Sequence, residues 1–460
     1  MSILGKNEYE RNILHHMLSE ILKASTNDIF NDIYKSYKLE YDFIKNYSII
    51  VGSDDELGSN FHTNILSELN SKKFYDFDGT EIIVEHPLSS YKNVLYLTDR
   101  EEVKIKIGSS AFIDSNSIGM FRKFYNKDII NNFIEFKLTH NIDMNYLPYI
   151  LEDYINPHHS RPNPKVTVEK IKAFEIVNNL DYELYKQTKE KRVNEKLLKL
   201  NGLKNIDEYI NNRIFWFTHF FDKGYNKYNI LDLPGSSAVM FSSEEKFPIY
   251  SLLSQYYIIF GYLLKILIEK NKRTSTKDKI KNVYHQMILN GLIFEQVLTF
   301  AYDYFEDVEE SKTFFIFDKS WSYEKIIKEY MNNAWDIYLY YTAEQAISIN
   351  KQGVDNQKID FTLSFFLTMD NNFYSAYIKK NRRKMFVINE SISGRPYVSI
   401  AEPSDTTDNI NLLVNEYLNE NNIIDRLKFK RSKLYNKHSY SMAIIFKEQM
   451  QRELKIELFE

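Results

Sequence analysis

Glycine is the residue that most limits what this chain can build. Thirteen occur in 460 residues, under half the usual share, which argues against any fold organised on a glycine-rich phosphate loop. The patterns agree: neither G-x-x-x-x-G-K-S/T nor G-x-G-x-x-G is present, and no serine sits in a G-x-S-x-G elbow. The lack of cysteine removes disulfide frameworks, thiol nucleophiles, zinc fingers and iron–sulfur clusters together. What remains is a chain with 43% hydrophobic residues. Its length suits a large buried core and roughly two to four domains, at about 100–200 residues each.

Charge nearly cancels. The 59 basic residues face 63 acidic ones for a net −4, so any surface made for a polyanion has to be local. Met1–Glu10 is polar and charged, without an apolar stretch of signal-peptide length. The longest apolar run, Tyr256–Ile268, is interrupted by Lys265 and falls short of the about 20 residues a bilayer requires. The expectation is a soluble, cytoplasmic protein with no membrane partner. Heavy use of Asn, Ile, Lys, Tyr and Phe suits an AT-rich coding genome, such as that of a low-GC bacterium, its phages or a large virus.

Periodicity divides the chain into three stretches and predicts an α+β protein. Its mainly helical central region is flanked by N-terminal and C-terminal mixed α/β pieces: residues 1–115, 116–350 and 351–460. The first 46 residues read as two helices, with stripes of Ile13, Met17, Ile21, Leu22 and then Ile29, Ile33, Tyr37, Leu39. Ser48–Val51, Ile82–Glu85, Asn93–Leu97 and Val103–Ile107 are short, rich in Val and Ile, and bounded by turn residues. From about Ser117 to Ile349 helical spacing dominates. The extended pattern returns in Phe361–Thr368, Tyr374–Ile378, Met385–Asn389 and Tyr397–Ile400, and a helix is expected over about Asp408–Asn421.

Asp76-Phe77-Asp78-Gly79-Thr80 resembles the nucleophile loop of haloacid-dehalogenase-type phosphatases. There the first Asp attacks phosphorus and the second works as acid and base. The same pair, with Gly52-Ser53 upstream, also imitates a nucleotidyltransferase that chelates magnesium through Asp76 and Asp78. The competing reading is structural, because Asp-Gly between two extended runs is a strong hairpin signal. His15-His16 makes a poor chelate, since neighbours on a helix point about 100° apart. His158-His159 lies in a proline-rich loop without further ligands of metal-site spacing. No metal and no cofactor are expected.

Aromatic and basic residues recur together. Arg213–Lys223, with Trp216 and His219 inside it, packs five large aromatics around one helix, and Trp321–Tyr341 carries Trp321 and Trp335 with Lys325 and Lys328. Single-stranded nucleic acid is held by such pairing, bases stacking on rings while cations follow phosphates. The competing reading makes these rings core. Basic residues also segregate: Lys379, Lys380, Arg382, Arg383 and Lys384 cluster between two extended segments, where a hairpin turn is expected. Residues 426–447 hold Arg426, Lys428, Lys430, Arg431, Lys433, Lys437 and Lys447 and no acid. Such a surface attracts phosphate backbones through counterion release.

The helices Arg213–Lys223 and Trp321–Tyr341 resemble those with which sigma-type factors capture an unpaired promoter strand. In size, composition and lack of catalytic motifs the chain is similar to the promoter-recognition subunit of the non-virion multisubunit RNA polymerases of large Bacillus phages. The resemblance implies a non-catalytic DNA-binding subunit in a complex with an RNA polymerase core, engaging single-stranded DNA during transcription initiation in the host cytoplasm. The sites it implies are Arg213, Trp216, His219, Lys223, Trp321, the 379–384 cluster, Lys428, Lys430, Arg431, Lys433 and Lys437. The alternatives are a magnesium-dependent enzyme of phosphate chemistry using Asp76 and Asp78, and a phage or defence-system structural protein.

Overall fold

The computed structural model describes residues 8–23, 27–53, 72–75, 81–85, 93–97, 105–113, 143–145, 173–190, 192–195, 249–290, 294–345, 361–379, 385–390, 396–400 and 433–460, with single positions at 205, 208 and 211. In these residues helices predominate and two sheets accompany them, which is compatible with an α+β class at the coarse level.

The principal core is built around one helix that is apolar on every side. In α4 (Ile249–Asn271, following α1 Glu8–Lys23, α2 Asn27–Glu40 and α3 Tyr182–Thr188), Ile258, Ile259, Phe260, Tyr262, Leu263, Leu264, Ile266, Leu267 and Ile268 are all buried. Consecutive apolar positions face every direction of a helix, so such a segment needs cover all round. That cover comes from α5 (Thr276–Leu289), α6 (Glu295–Phe305), α8 (Tyr323–Gln345) and the C-terminal α9 (Lys433–Phe459), with the short α7 (Glu309–Phe314) completing the cluster. Phe446 of α9 lies against Tyr262, ring centroids 5.4 Å apart. Lys265, which interrupts the apolar run, turns to the buried Glu269 at 2.9 Å.

The first sheet has the order β4-β1-β8-β9, from β1 (Tyr47–Ser53), β4 (Asn93–Leu97), β8 (Met385–Glu390) and β9 (Pro396–Ile400), antiparallel throughout. Leu14, Met17, Leu18 and Ile21 of α1 and Phe30 and Tyr34 of α2 form a small core with Ile49 and Val51 of β1. The buried Tyr34 hydroxyl donates to the Tyr47 carbonyl at 3.1 Å. The buried stripe of α2 is thus turned from the expected one, with Ile29 and Leu39 exposed.

The second sheet runs β2-β3-β7-β5-β6, from β2 (Lys72–Tyr75), β3 (Glu81–Glu85), β5 (Ile105–Ile113), β6 (Asp143–Asn145) and β7 (Phe361–Thr368). β5 is parallel to β6 and β7, while β2–β3 and β3–β7 are antiparallel. Phe365, Phe366 and Leu367 are buried in succession, so β7 is covered on both faces. Phe366 meets Tyr340 of α8 at 5.5 Å, edge to face, and this contact ties the sheet to the helical core.

Both sheets join strands from residues 1–115 to strands from residues 351–460. Strands from the two flanking stretches thus pair with each other in both sheets. The parallel β5–β7 pair explains why: parallel neighbours require a long crossover, and the helices α4–α8 lie between those strands in sequence. Among the described residues, no helix is long and apolar enough to cross a membrane.

Candidate nucleic-acid interface

The start of α8 gathers an aromatic ring and cations. The Ser322 side chain accepts the Lys325 backbone N–H at 3.3 Å, which caps the helix and fixes the turn before it. On that turn the Trp321 N–H donates to the Asp318 carbonyl at 2.9 Å. Hydrogen bonds from Ser320, assisted by Lys325, hold the Asp318 carboxyl below its ordinary value. Trp321 is half-buried against the helical core, and the Lys325 ammonium lies 4.0 Å over its ring. Lys319, Lys325 and Lys328 are exposed beside it. Trp321 precedes the helix, and the turn held by Asp318 and the Ser322 cap brings its ring to Lys325 in the first turn of α8.

Trp335, in the same aromatic stretch, has a different role. It is 1% exposed, packed edge to face on Tyr256 at 5.1 Å, and its indole nitrogen has no hydrogen-bond partner among the described residues. Trp335 is core, whereas Trp321 reaches the surface.

Lys379 is exposed, and its N–H donates to the Tyr374 carbonyl at 2.8 Å. The segment preceding it corrects one expectation. Tyr374–Ile378 is a π-helical turn, not an extended strand. The Asp370 side chain accepts the N–H groups of Asn372 and Phe373, both at 2.9 Å, and so starts a helical turn that buries Phe373, Ala376, Tyr377 and Ile378. β7 and β8, on either side, belong to different sheets, so the basic cluster does not sit in a hairpin between paired strands. Lys380, Arg382, Arg383 and Lys384 lie outside the described residues, as do Arg213, Trp216, His219, Lys223, Lys428, Lys430, Arg431 and the helix expected over 408–421.

Lys433 and Lys437 occupy the first turns of α9. Lys447, further along, is half-buried with its ammonium 5.0 Å over the Tyr257 ring, and burial pulls its pKa down against the influence of Glu448. That cation faces the protein.

Asp76 and Asp78 also fall outside the described residues. The strands flanking them are paired antiparallel, Tyr75 opposite Glu81, and β2 pairs only with β3 in its sheet. A haloacid-dehalogenase-type nucleophile loop follows a buried parallel strand, which β2 is not. Among the described residues no group of three or more His, Asp or Glu side chains is placed to hold a metal ion. His16 is engaged by Glu20 at 3.5 Å and by the Tyr37 hydroxyl.

A second basic surface, absent from the sequence-based expectations, lies where α4 turns into α5. Lys270, Lys272, Arg273, Lys277, Lys279 and Lys281 fall within twelve positions. Three are held internally. Lys270 donates to the carbonyls of Tyr304 (2.8 Å) and Phe305 (3.3 Å) and to Asp307 (2.7 Å). Lys272 bonds Glu269 at 2.8 Å, and Lys279 donates to the Lys270 carbonyl at 3.1 Å. Burial, reinforced by Lys270, lowers the pKa of Lys279. Arg273, Lys277 and Lys281 are exposed, with no ion pair or hydrogen bond to any described residue. The signal was present as a charge run, but Asp278 interrupts it and Glu269 precedes it, so an acid-free window does not find it.

Compared with family models, curated proteins and solved structures, the chain matches none.

Proposed function

We propose that this chain is a non-catalytic nucleic-acid-binding subunit, a sigma-like promoter-recognition subunit of a phage RNA polymerase acting in transcription initiation. In this reading a mainly helical centre, with mixed α/β stretches before and after it in sequence, docks on the polymerase core in the host cytoplasm. Local basic surfaces hold the DNA backbone, and exposed rings take unpaired bases. The observation that carries the reading is charge segregation. Residues 426–447 contain seven cations and no acid in a chain of net charge −4. Cations so gathered release counterions from a phosphate backbone. The pairing of Lys325 with the half-buried Trp321 ring supports it with the cation-and-ring combination that single strands use.

The test reverses Lys428, Lys430 and Arg431 to Glu, and separately Arg382, Arg383 and Lys384, in the full-length chain. Binding to labelled single-stranded and duplex DNA is then followed against salt. Each lost contact should remove roughly 0.7–0.9 from the log–log salt slope, for all sequences alike. Unchanged affinity and slope would assign these segments to a protein interface. Mass spectrometry of proteins copurifying from the native source should recover polymerase subunits.

A further inference from the structure

We propose that the corner between α4 and α5 is a docking surface for the phosphodiester backbone of a nucleic-acid strand, contacted by Arg273, Lys277 and Lys281. The proposal rests on the nucleic-acid reading above for the class of partner, but on different residues and on different observations.

Two features make this corner more than a solvated face. The first is that its acids are already occupied. Glu269 is buried and bonded by Lys265, Lys272 and Asn282. Asp278 accepts the Ser275 hydroxyl at 2.6 Å, and Asp307 holds Lys270 at 2.7 Å. The Ser275–Asp278 pair in turn caps α5, Ser275 accepting the Asp278 N–H at 3.2 Å, so the cations stand on a fixed frame. The second is that the outward cations have no partner within the described chain. Lys277 and Lys281 are one turn apart, about 6 Å along the axis at 1.5 Å per residue. The exposed His285 follows at the same interval, and the exposed Arg273 stands in the bend just before the helix. The result is a row of donors and positive charge on one face of α5, with one further cation at its start.

The chemistry of the surroundings selects the partner. Every exposed residue between 271 and 285 is polar, and the exposed Leu289 lies one turn beyond. A protein interface needs an apolar, largely uncharged centre, and a membrane-surface helix needs an apolar face to insert. Interfaces with nucleic acid are polar and strongly positive instead. An extended polyanion fits a row of cations without an apolar core.

The experiment compares the full-length protein with R273E/K277E/K281E, and with R273Q/K277Q/K281Q in case the reversed variant does not fold. A labelled mixed-sequence oligonucleotide is titrated between about 50 and 200 mM salt. The expected result is an affinity loss of about tenfold or more at the lower salt and a log–log slope smaller by about 2, three contacts at roughly 0.7 each, with an unchanged melting curve. Unchanged oligonucleotide affinity and slope overturn the proposal, and so does a loss confined to polyglutamate or phosphatidylserine vesicles, which would reassign the corner to an acidic protein or a membrane. K428E/K430E/R431E runs beside it. Loss of binding there with none at the corner leaves the proposed function and removes this inference. Loss at the corner alone keeps this inference and takes the 428–431 segment out of the DNA contact, and no binding by the unmodified chain removes both.

Discussion

Gly261 faces the ring of Phe446 so closely that a methyl group on it would overlap the ring. The glycine is in the middle of the most enclosed helix, where an alanine would otherwise favour helix by about 1 kcal/mol. It is there because the Phe446 ring of α9 lies directly against the α4 backbone at this position. Phe446 is 4% exposed and held by Tyr262, so it has little room to move aside. Gly261→Ala is expected to destabilise by about 1–3 kcal/mol, the usual effect of overpacking. Thermal melting of G261A, F446L and the double variant checks this. The double variant should recover part of the loss, and strictly additive effects would show that the ring does not set the approach.

Glu269 gives the core a pH dependence of known sign. Burial pushes its carboxyl up, but hydrogen bonds from Lys272, Asn282 and Lys265 outweigh burial and hold it below its ordinary value of 4.5. A carboxyl whose native pKa is depressed adds stability above its unfolded pKa and loses it as pH falls through the native value. The stability of the natural chain should therefore drop below about pH 4.5, partly through this group. Removing one partner of a fully buried pair costs about 3–5 kcal/mol. Lys265 and Lys272 retain 13% and 33% side-chain exposure, so Glu269→Gln should cost less, about 1–3 kcal/mol at neutral pH. Urea denaturation at several pH values should also show a shallower acid limb in E269Q. An acid limb of unchanged steepness would assign the pH response to other carboxylates.

What could be read in the sequence was local. Asn93–Leu97 and Phe361–Thr368 appear as strands with the bounds expected of them, because Val, Leu and Phe between turn residues leave few alternatives. Tyr374–Ile378, read as extended from its Tyr and Ile, became a π-helical turn, since the Asp370 cap outcompetes β propensity. Pairing was not legible. Ile105 lies opposite Phe361 and Ile49 opposite Ile388, contacts across most of the chain that no window contains. Burial was only half legible: Trp321 and Trp335 have the same chemistry, and it is the rings of Tyr256 and Tyr338 around Trp335 that separate core from surface. The α4–α5 corner was visible as lysines, but that Glu269 is buried and that Asp278 and Asp307 are engaged by Ser275 and Lys270 is a tertiary fact.

Lys270 closes the end of a neighbouring helix. Its ammonium meets the last carbonyls of α6, at Tyr304 and Phe305, and bonds Asp307, where the chain turns through a positive φ of 60°. A cation at a helix C-terminus contributes typically 0.3–1 kcal/mol at the surface and up to about 2 kcal/mol when partly buried. Lys270 has 21% side-chain exposure, so Lys270→Met should cost about 1–2 kcal/mol, while Asp307→Asn, which keeps a residue tolerant of that φ, should cost less. Hydrogen exchange should quicken at the end of α6 in K270M. Unaltered protection there would mean that the carbonyls are satisfied without the lysine.

In the proposed nucleic-acid reading, Trp321, with a cation over its ring, is the candidate to take a base, and the energies say how. In the free protein Lys325 covers it at 4.0 Å, an arrangement worth about 0.5–1 kcal/mol at an exposed site. A stacked base is worth about 1–3 kcal/mol. Under that proposal, an arriving strand would displace the ammonium from the ring and offer it a phosphate. Trp321→Ala should lower single-strand affinity by about 1–3 kcal/mol, roughly fivefold to a hundredfold. Because the ring is only half-buried, melting should fall by less than the about 3–5 kcal/mol expected of a fully buried tryptophan. Trp335, in the core, should show the opposite pattern, with a large loss of stability on truncation. Fluorescence separates base stacking from mere support of the fold. Adding an oligonucleotide should quench the emission of the natural chain, and the share of that quench due to Trp321 should be lost in Trp321→Phe while the protein stays folded, whatever Trp216 contributes. If the quench is undiminished in W321F and W321A binds the strand as tightly as before, Trp321 is a packing residue and base capture lies elsewhere on the chain.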